Sequence, residues 1–382
     1  MYDACIIGGG ASGLTAAIAL KKSGGDPSVI ILEKKHEPAR KLLATGNGKC
    51  NLSNENCPGY RETLSFFQTL GLLTREDEAG RFYPYTEDAS DVVEALLRRN
   101  KSEGVEVRCD AHVSAVTHDA GGFHVTYGTK SSLHTIDCRK LLIAGGGKAG
   151  PAFGTTGDSY KLAESLGHSV TRLAPALTAV ETYDDMKAFA GIRAKARVIL
   201  KYKGEEVFEE AGEVQFTKYG ISGICVFDLS RFLILPEGKN LKGGFDDYEI
   251  LVDFFPKGGD IENFLRQRAH MKDLAGENIL DSLVRQPIGR AIYEKSGGDV
   301  KAMAELLRGW PLRPKGLKGW DFAQITRGGV PLAQVDEETM ESKIVKGLYF
   351  AGEVLDYDGP CGGFNLQNAW ETGIRAGRGM SR

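Results

Sequence analysis

The sequence predicts an α/β protein: a Rossmann-type nucleotide-binding domain, an inserted β-barrel-like domain and a small helical domain. Three observations predict it. The chain opens on a strand, a glycine turn, a helix, a second strand and an acid in succession. It closes on a buried strand ending in Gly-Glu, followed by one last helix. Between about 176 and 335 the texture turns to β-branched alternation, interrupted by a stretch of helical spacing.

The elements follow in order. Ala4-Cys5-Ile6-Ile7 is an apolar run that enters Gly8-Gly9-Gly10-Ala11-Ser12-Gly13. Leu14, Ala17, Ile18 and Leu20 then recur at helical spacing. Gly24-Gly25-Asp26-Pro27 breaks that helix, and Val29-Ile30-Ile31-Leu32 is a second buried strand ending at Glu33. Residues 36–60 form a long polar, glycine-rich loop; 61–73 and 90–103 read as helices. Strand alternation runs from Val105 to Tyr127, with a hairpin signal at Gly121-Gly122. Arg139 to Ala144 is a buried strand running into Gly145-Gly146-Gly147. Residues 178–183, 193–202, 205–210 and 248–255 read as strands, 260–310 as helices bounded by Gly-Gly pairs, and 321–335 as strand again. The domain expectation is therefore 1–175 with 336–382 for the nucleotide-binding domain. It is 176–255 with 311–335 for the β-rich domain and 256–310 for the helical one.

Composition narrows the function classes. Of 382 residues, Lys+Arg 48 against Asp+Glu 51 leaves a net charge of −3, without the basic footprint of a nucleic-acid binder. A basic stretch such as Arg193 to Lys203 is local. No apolar run approaches the ~18 residues of a membrane helix, and the first residues read as a strand rather than a leader, so the cytoplasm is expected. The seven cysteines (Cys5, Cys50, Cys57, Cys109, Cys138, Cys225, Cys361) show no zinc or dithiol spacing and read as reduced thiols. None of the seven histidines stands in a metal-ligand pattern. A small-molecule substrate is the expected partner; oligomeric state is not legible.

Gly8-x-Gly10-x-x-Gly13 gains meaning from its context. Gly8 serves the tight turn, Gly10 lets a pyrophosphate approach the backbone, and Gly13 permits close helix–strand packing. Ala11 and Ser12 open the helix whose free N–H groups favour a phosphate. Glu33, with Lys34 beside it, stands where ribose hydroxyls are held. The closing motifs separate a flavin from a nicotinamide cofactor. Gly352-Glu353 ends its strand as the second flavin signature does. Gly362-Gly363 opens the final helix, whose positive end would face the flavin pyrimidine edge. FAD is the expected cofactor, with NADH or NADPH as a transient electron donor. Gly145-x-Gly147-x-x-Gly150 imitates a second dinucleotide site, but Pro151 and Phe153-Gly154-Thr155-Thr156-Gly157 interrupt any helix and no acid ends a following strand, so a separate nicotinamide domain is not expected.

The loop Lys41-Leu42-Leu43-Ala44-Thr45-Gly46-Asn47-Gly48-Lys49-Cys50-Asn51-Leu52-Ser53 resembles a characteristic motif of the BaiN-like NAD(P)/FAD-dependent oxidoreductases. This bacterial flavoprotein family includes aminoacetone-oxidase-type members. The likeness extends to Gly145-Gly146-Gly147, Gly154-Thr155-Thr156-Gly157-Asp158, Gly328-Gly329-Val330, Gly352-Glu353-Val354-Leu355-Asp356 and Gly362-Gly363-Phe364-Asn365-Leu366-Gln367, and so to nearly the whole chain. It implies a glutathione-reductase-like FAD-binding domain with Ala11 and Ser12 at the pyrophosphate. Lys41, Thr45, Gly46 and Asn51 would lie on the flavin side, with Gly145 and Gly146 near the FAD. Val113 would hold the adenine through its backbone, and Asn365 and Leu366 would meet the pyrimidine edge. The implied activity is an NAD(P)H-linked reductase or dehydrogenase of a carbonyl or enone small molecule, steroid- and bile-acid-like ones included. One alternative is an amine or amino-ketone oxidase using oxygen. An alternative of another class is a tRNA-binding or tRNA-modifying flavoprotein.

Reduction of an enone needs a proton donor opposite the hydride. Tyr83, Tyr357 and Cys361 are the expected catalytic residues. Arg81-Phe82-Tyr83-Pro84-Tyr85 is the most suggestive cluster, and Tyr85 is a further donor of the right type. Six residues separate Cys50 and Cys57, not the four of a flavin-linked dithiol, and the two read as structural.

Overall fold

The glycine turn is the start of a parallel sheet. In a computed structural model, which describes residues 1–129, 132–234, 244–274 and 276–382, the first strand is Tyr2–Ile7 and the first helix Ala11–Lys22. Val29–Leu32 returns parallel to the first strand, and Glu106–Arg108 lies parallel beyond it. On the other side stands the second half of Leu133–Ile143, parallel to the first strand from Cys138 onward, and then Leu348–Phe350. The chain thus returns after some 200 residues to add the strand the sequence predicts. The first half of Leu133–Ile143 continues the same sheet in antiparallel fashion, pairing with Gly122–Gly128, which pairs with His112–Asp119 through the expected hairpin.

Apolar alternation on these strands builds the first core, from Ile6, Ile30, Ile31, Leu141, Leu142 and Phe350 to Trp370, all completely buried. The C-terminal helix, Phe364–Gly379, packs on the first helix backbone to backbone. A Cβ added at Gly373 would stand 2.6 Å from the Ser12 carbonyl oxygen, and one at Gly377 would overlap the Ala16 carbonyl oxygen. Glycine at those two positions lets the helices approach more closely than side chains allow. Trp370 Nε1 donates to Leu52 O (3.0 Å), which ties the long loop to the same helix.

The chain divides into two packed units, 1–174 with 325–382 and 175–324. The second is a seven-stranded antiparallel sheet in the order Trp310–Leu312, Tyr248–Asp253, Arg193–Tyr202, Glu205–Thr217, Gly220–Ser222, Val180–Thr182, Pro314–Leu317. Helices Ile261–Ala269, Gln286–Ser296 and Val300–Arg308 bury Ile261, Leu265, Ile288, Ile292, Met303 and Leu307 in the same core as Val198, Leu200, Phe216 and Ile250. The helices therefore form no separate unit of their own, because their apolar faces have the sheet to bury against. Part of the expected β-rich stretch, 235–243, and residue 275 of the helical one lie outside the described residues.

The return to the first unit also comes earlier than the expected 335/336. Thr326 bonds to the backbone at 148 and 149, and Val330 bridges Leu355 in parallel. These pairings hold 325–335 in the first unit. No helix among the described residues is long and apolar enough to cross a membrane.

The helix contact is directly testable. Gly377→Ala should destabilise the protein by about 1–3 kcal/mol, as overpacking does. Gly319→Ala, where an added Cβ meets nothing within 4 Å, should stay within about 0.5 kcal/mol of the wild type. Urea unfolding of both variants checks the pair.

Candidate active site

The nucleotide end is built by the first turn. Gly8 has φ +106°, and a Cβ there would lie 2.5 Å from the Ala144 carbonyl oxygen. A Cβ at Gly13 would overlap the Gly8 carbonyl oxygen. Gly10 differs: an added Cβ would meet nothing within 4 Å. Gly8 and Gly13 are small so that the protein can pack on itself, whereas Gly10 faces open space. Ala11 and Ser12 begin the first helix, which has no side-chain cap and no acid in its first turn. That leaves its partial positive charge for an anion.

Glu33 ends its strand beside this turn. Its carboxylate accepts the Gly9 N–H (2.9 Å) and the Lys35 N–H (2.8 Å), and its carbonyl accepts the Ala111 N–H (2.9 Å). The last bond carries the chain into Val113, which is buried and stands next to a register shift in its strand. Lys34 turns aside, with Nζ on Thr156 Oγ1 (2.7 Å) and Asp158 Oδ2 (2.5 Å). The helix after Gly145-Gly146-Gly147 begins only at Asp158, with that acid in its first turn. The second glycine motif therefore lacks the helix end of a dinucleotide site. Gly145 lies over Ser159 and Gly146 against Thr155.

Lys41 and Glu353, predicted separately, meet. Lys41 Nζ donates to Glu353 Oε2 (2.6 Å) and to Ala149 O (3.1 Å). Glu353 Oε1 accepts from the Thr326 N–H and Oγ1, both at 2.9 Å. Thr326 Oγ1 in turn accepts the Lys148 and Ala149 N–H groups, at 2.7 and 3.0 Å. Thr326 is completely buried. Sequence reasoning missed it, because a lone threonine after an insertion carries no local signal. Gly352 stands against Ser12, where its added Cβ would lie 2.5 Å from Ser12 Oγ.

The long loop curls beside the C-terminal helix. Thr45 Oγ1 donates to Leu42 O (2.7 Å), and Gly46, Asn47, Gly48 and Cys50 all take positive φ. Such backbone clusters at functional sites. Asn51 lies between Gly46 and Gly363, and its Oδ1 is buried without a hydrogen-bond partner. Gly362 accepts from Asn54 Nδ2 (3.2 Å). The C-terminal helix starts after Gly363 with no side-chain cap and no acid in its first turn. The Asn365 side chain is engaged, accepting the Gly359 N–H (2.9 Å) and donating to Gly359 O (2.8 Å) and Pro360 O (3.2 Å). Asn365 and Leu366 thus offer their backbone N–H groups.

Among the expected catalytic residues, Tyr83 lies beside the long loop. It alternates with Phe82 on the strand Arg81–Pro84; Phe82 is buried on Tyr60, and Tyr83 and Arg81 share the other face. Tyr83 Cε1 lies 3.8 Å from a Cβ added at Gly46, and Arg81 Cδ 3.9 Å from one at Gly362. The Tyr83 hydroxyl has no hydrogen bond among the described residues. Burial pushes its pKa up, against the pull of Arg81. Arg81 is fixed by Asp77 (Nε–Oδ2 2.8 Å). Tyr85 is instead 58% exposed and lies under Arg75, the cross-strand partner of Tyr83. Tyr357 and Cys361 are partly buried in the segment before the C-terminal helix, Tyr357 packed beside Gly359. Cys50 is completely buried and burial pushes its thiol to about 12; Cys57 is raised for the same reason, so neither is a reactive thiolate.

These residues fit FAD. One uncapped helix end with an open glycine suits a diphosphate, and a second uncapped helix end behind two glycines suits the pyrimidine edge.

The HI0933-like protein Rossmann domain model matches residues 2–379. The chain belongs to this family. It is 36% identical to the 3-dehydro-bile acid delta(4,6)-reductase of Clostridium scindens, over 98% of this chain and 97% of that protein. It is 28% identical to the ribosomal RNA dihydrouridine synthase of Escherichia coli, over 97% and 96%. Its fold is that of the 3-ketosteroid delta1-dehydrogenase from Sterolibacterium denitrificans, with a TM-score of 0.55 at 10% identity, covering 100% and 99%. The chain is an FAD-dependent oxidoreductase.

The glycines separate by role in one experiment. Gly10→Ala should fold with wild-type stability, within about 0.5 kcal/mol, and lose at least about tenfold in FAD affinity, one hydrogen bond to a charged group or more. Gly13→Ala should instead lower stability by about 1–3 kcal/mol. Thermal melting with FAD titration distinguishes them.

Proposed function

We propose that this member of the HI0933-like family reduces a carbon–carbon double bond conjugated with a carbonyl, on a small steroid- or bile-acid-like molecule, with NADH or NADPH as donor. The observation that carries the reading is the shared face of Arg81 and Tyr83 beside Gly46 and Gly362. Bound FAD supplies hydride chemistry at its N5. The residues do the rest. The first helix end, with Ala11 and Ser12, holds the diphosphate. Glu33 and the Val113 backbone hold the adenosine, and Asn365 and Leu366 meet the pyrimidine edge.

Arg81, kept in place by Asp77, has guanidinium donors to spare for the substrate carbonyl oxygen. Tyr83, protonated at neutral pH, gives the proton to the carbon next to the carbonyl as hydride arrives at the far carbon. Tyr357 and Cys361 are the other donors of suitable type. A 3-oxo-4-ene steroid and the uracil ring both carry a double bond conjugated with a carbonyl. The dihydrouridine synthase relative therefore supports a second reading, reduction of a pyrimidine in RNA. Charge speaks for the small molecule: Arg193 pairs with Glu213 (3.1 Å) and Arg197 with Glu209 (2.9 Å) and Asp253 (3.1 Å), so both arginines of the basic strand are paired with acids on its two neighbouring strands.

The test is anaerobic. Protein reduced with NADPH or NADH and mixed with a 3-oxo-4-ene steroid should regain its oxidised flavin spectrum and saturate the double bond. Recovery only with RNA would replace the substrate class. Recovery only with oxygen would replace the reductase with the amino-ketone oxidase. Tyr83→Phe should slow the steroid-dependent recovery by about 10²–10⁴-fold, with FAD content and reduction by the nicotinamide unchanged.

A further inference from the structure

The Gly-Glu signature predicts Glu353 as a direct contact of the cofactor, yet its carboxylate is turned to the protein. Oε1 takes two hydrogen bonds from Thr326 and Oε2 takes one from Lys41. The side chains of Lys41 and Glu353 are only 25% and 20% accessible. An ammonium has three donors. Lys41 uses one on Glu353 and one on Ala149 O, and the third has no acceptor among the described residues.

The network also has fixed walls. A Cβ at Gly147 would overlap Thr326 Oγ1 and lie 2.6 Å from Glu353 Oε1. The Tyr160 hydroxyl donates to Glu353 O (3.2 Å). Glu353 follows Gly352, which packs on Ser12 in the first turn of the first helix. Two residues before Lys41, Ala39 donates its N–H to Gly9 O (2.8 Å), so the backbone on both sides of the pair packs on the turn that holds the open Gly10. That helix end supplies about half a positive charge. A diphosphate carries more negative charge than that, and Lys41 is the cation built beside it.

We propose that Glu353 is a positioning residue rather than a cofactor ligand: with Thr326 and Ala149 it aims the third Lys41 donor at the diphosphate of FAD. This rests on the FAD reading above and deepens it. The pair acts as one unit. Lys41 without Glu353 is not aimed, and Glu353 without Lys41 has nothing to aim.

The test is a double-mutant cycle on FAD retention. Holoenzymes of wild type, Lys41→Met, Glu353→Gln and the double variant are diluted, and FAD release is followed by the return of flavin fluorescence. Each single variant should lose about 10- to 100-fold in affinity, the worth of a hydrogen bond to a charged group. The double variant should lose no more than the worse single one. ADP, which carries the same diphosphate, should lose the same factor when titrated against the apoproteins.

Multiplying losses in the double variant would make Glu353 an independent ligand and overturn the proposal. So would unchanged FAD affinity in Lys41→Met, or an FAD loss without an ADP loss. The double variant removes both charges together and leaves neither unpaired, so it keeps the test valid if Lys41→Met folds poorly. A wild-type protein that binds no FAD would refute the cofactor reading itself, which is a distinguishable failure.

Discussion

The close approach of the first and last helices is the constraint on which the rest of the first unit depends. Gly373 meets the backbone at Ser12, and Gly377 meets it at Ala16 and Leu20. Numbering rises on both helices together, so they run parallel. Gly373 lies nine residues into its helix while Ser12 lies at the start of its own. The C-terminal helix therefore extends eight residues, about 12 Å, further back, at 1.5 Å per residue. Two uncapped positive ends result, offset along one direction. One suits a diphosphate and the other the far ring of a dinucleotide. A side chain at either glycine would separate the helices and misalign the two ends.

Two further parts of this unit, the long loop and the 145–150 crossing, are held in place beside these helices. The long loop has left-handed backbone at Gly46, Asn47, Gly48 and Cys50, and is tied down by Trp370 and by Gln367, whose Oε1 accepts from Ser53 (2.7 Å). The 145–150 crossing is held by Thr326, Glu353 and Lys41. Where a helix end is meant for the protein itself, the sequence differs: the helix Asp158–Ser165 has an acid in its first turn, engaged by Lys34. That contrast separates a binding helix end from a structural one.

Local signals were legible and long-range ones were not. The opening strand, turn and helix follow from spacing within twenty residues, and Glu33 from its distance to the turn. Lys41 and Glu353 were each legible as motif residues, but not as a pair, because 312 residues separate them. Thr326 was invisible for the same reason, and with it the true return point of the chain. The helices between 256 and 310 were legible as amphipathic elements; periodicity shows that a face is apolar, not which core receives it. In Arg81-Phe82-Tyr83-Pro84-Tyr85, strand alternation put Tyr83 and Arg81 on one face, whereas Tyr85 is lost to solvent just past the strand's end.

The most direct test of the central claim is a crystal structure of the holoenzyme. The diphosphate should lie at the N–H groups of Ala11 and Ser12 over Gly10, with Lys41 Nζ in contact with it while still bonded to Glu353, and the pyrimidine edge at the N–H groups of Asn365 and Leu366. A diphosphate bound away from Gly10, or a flavin ring that leaves the end of the C-terminal helix unused, would contradict that claim.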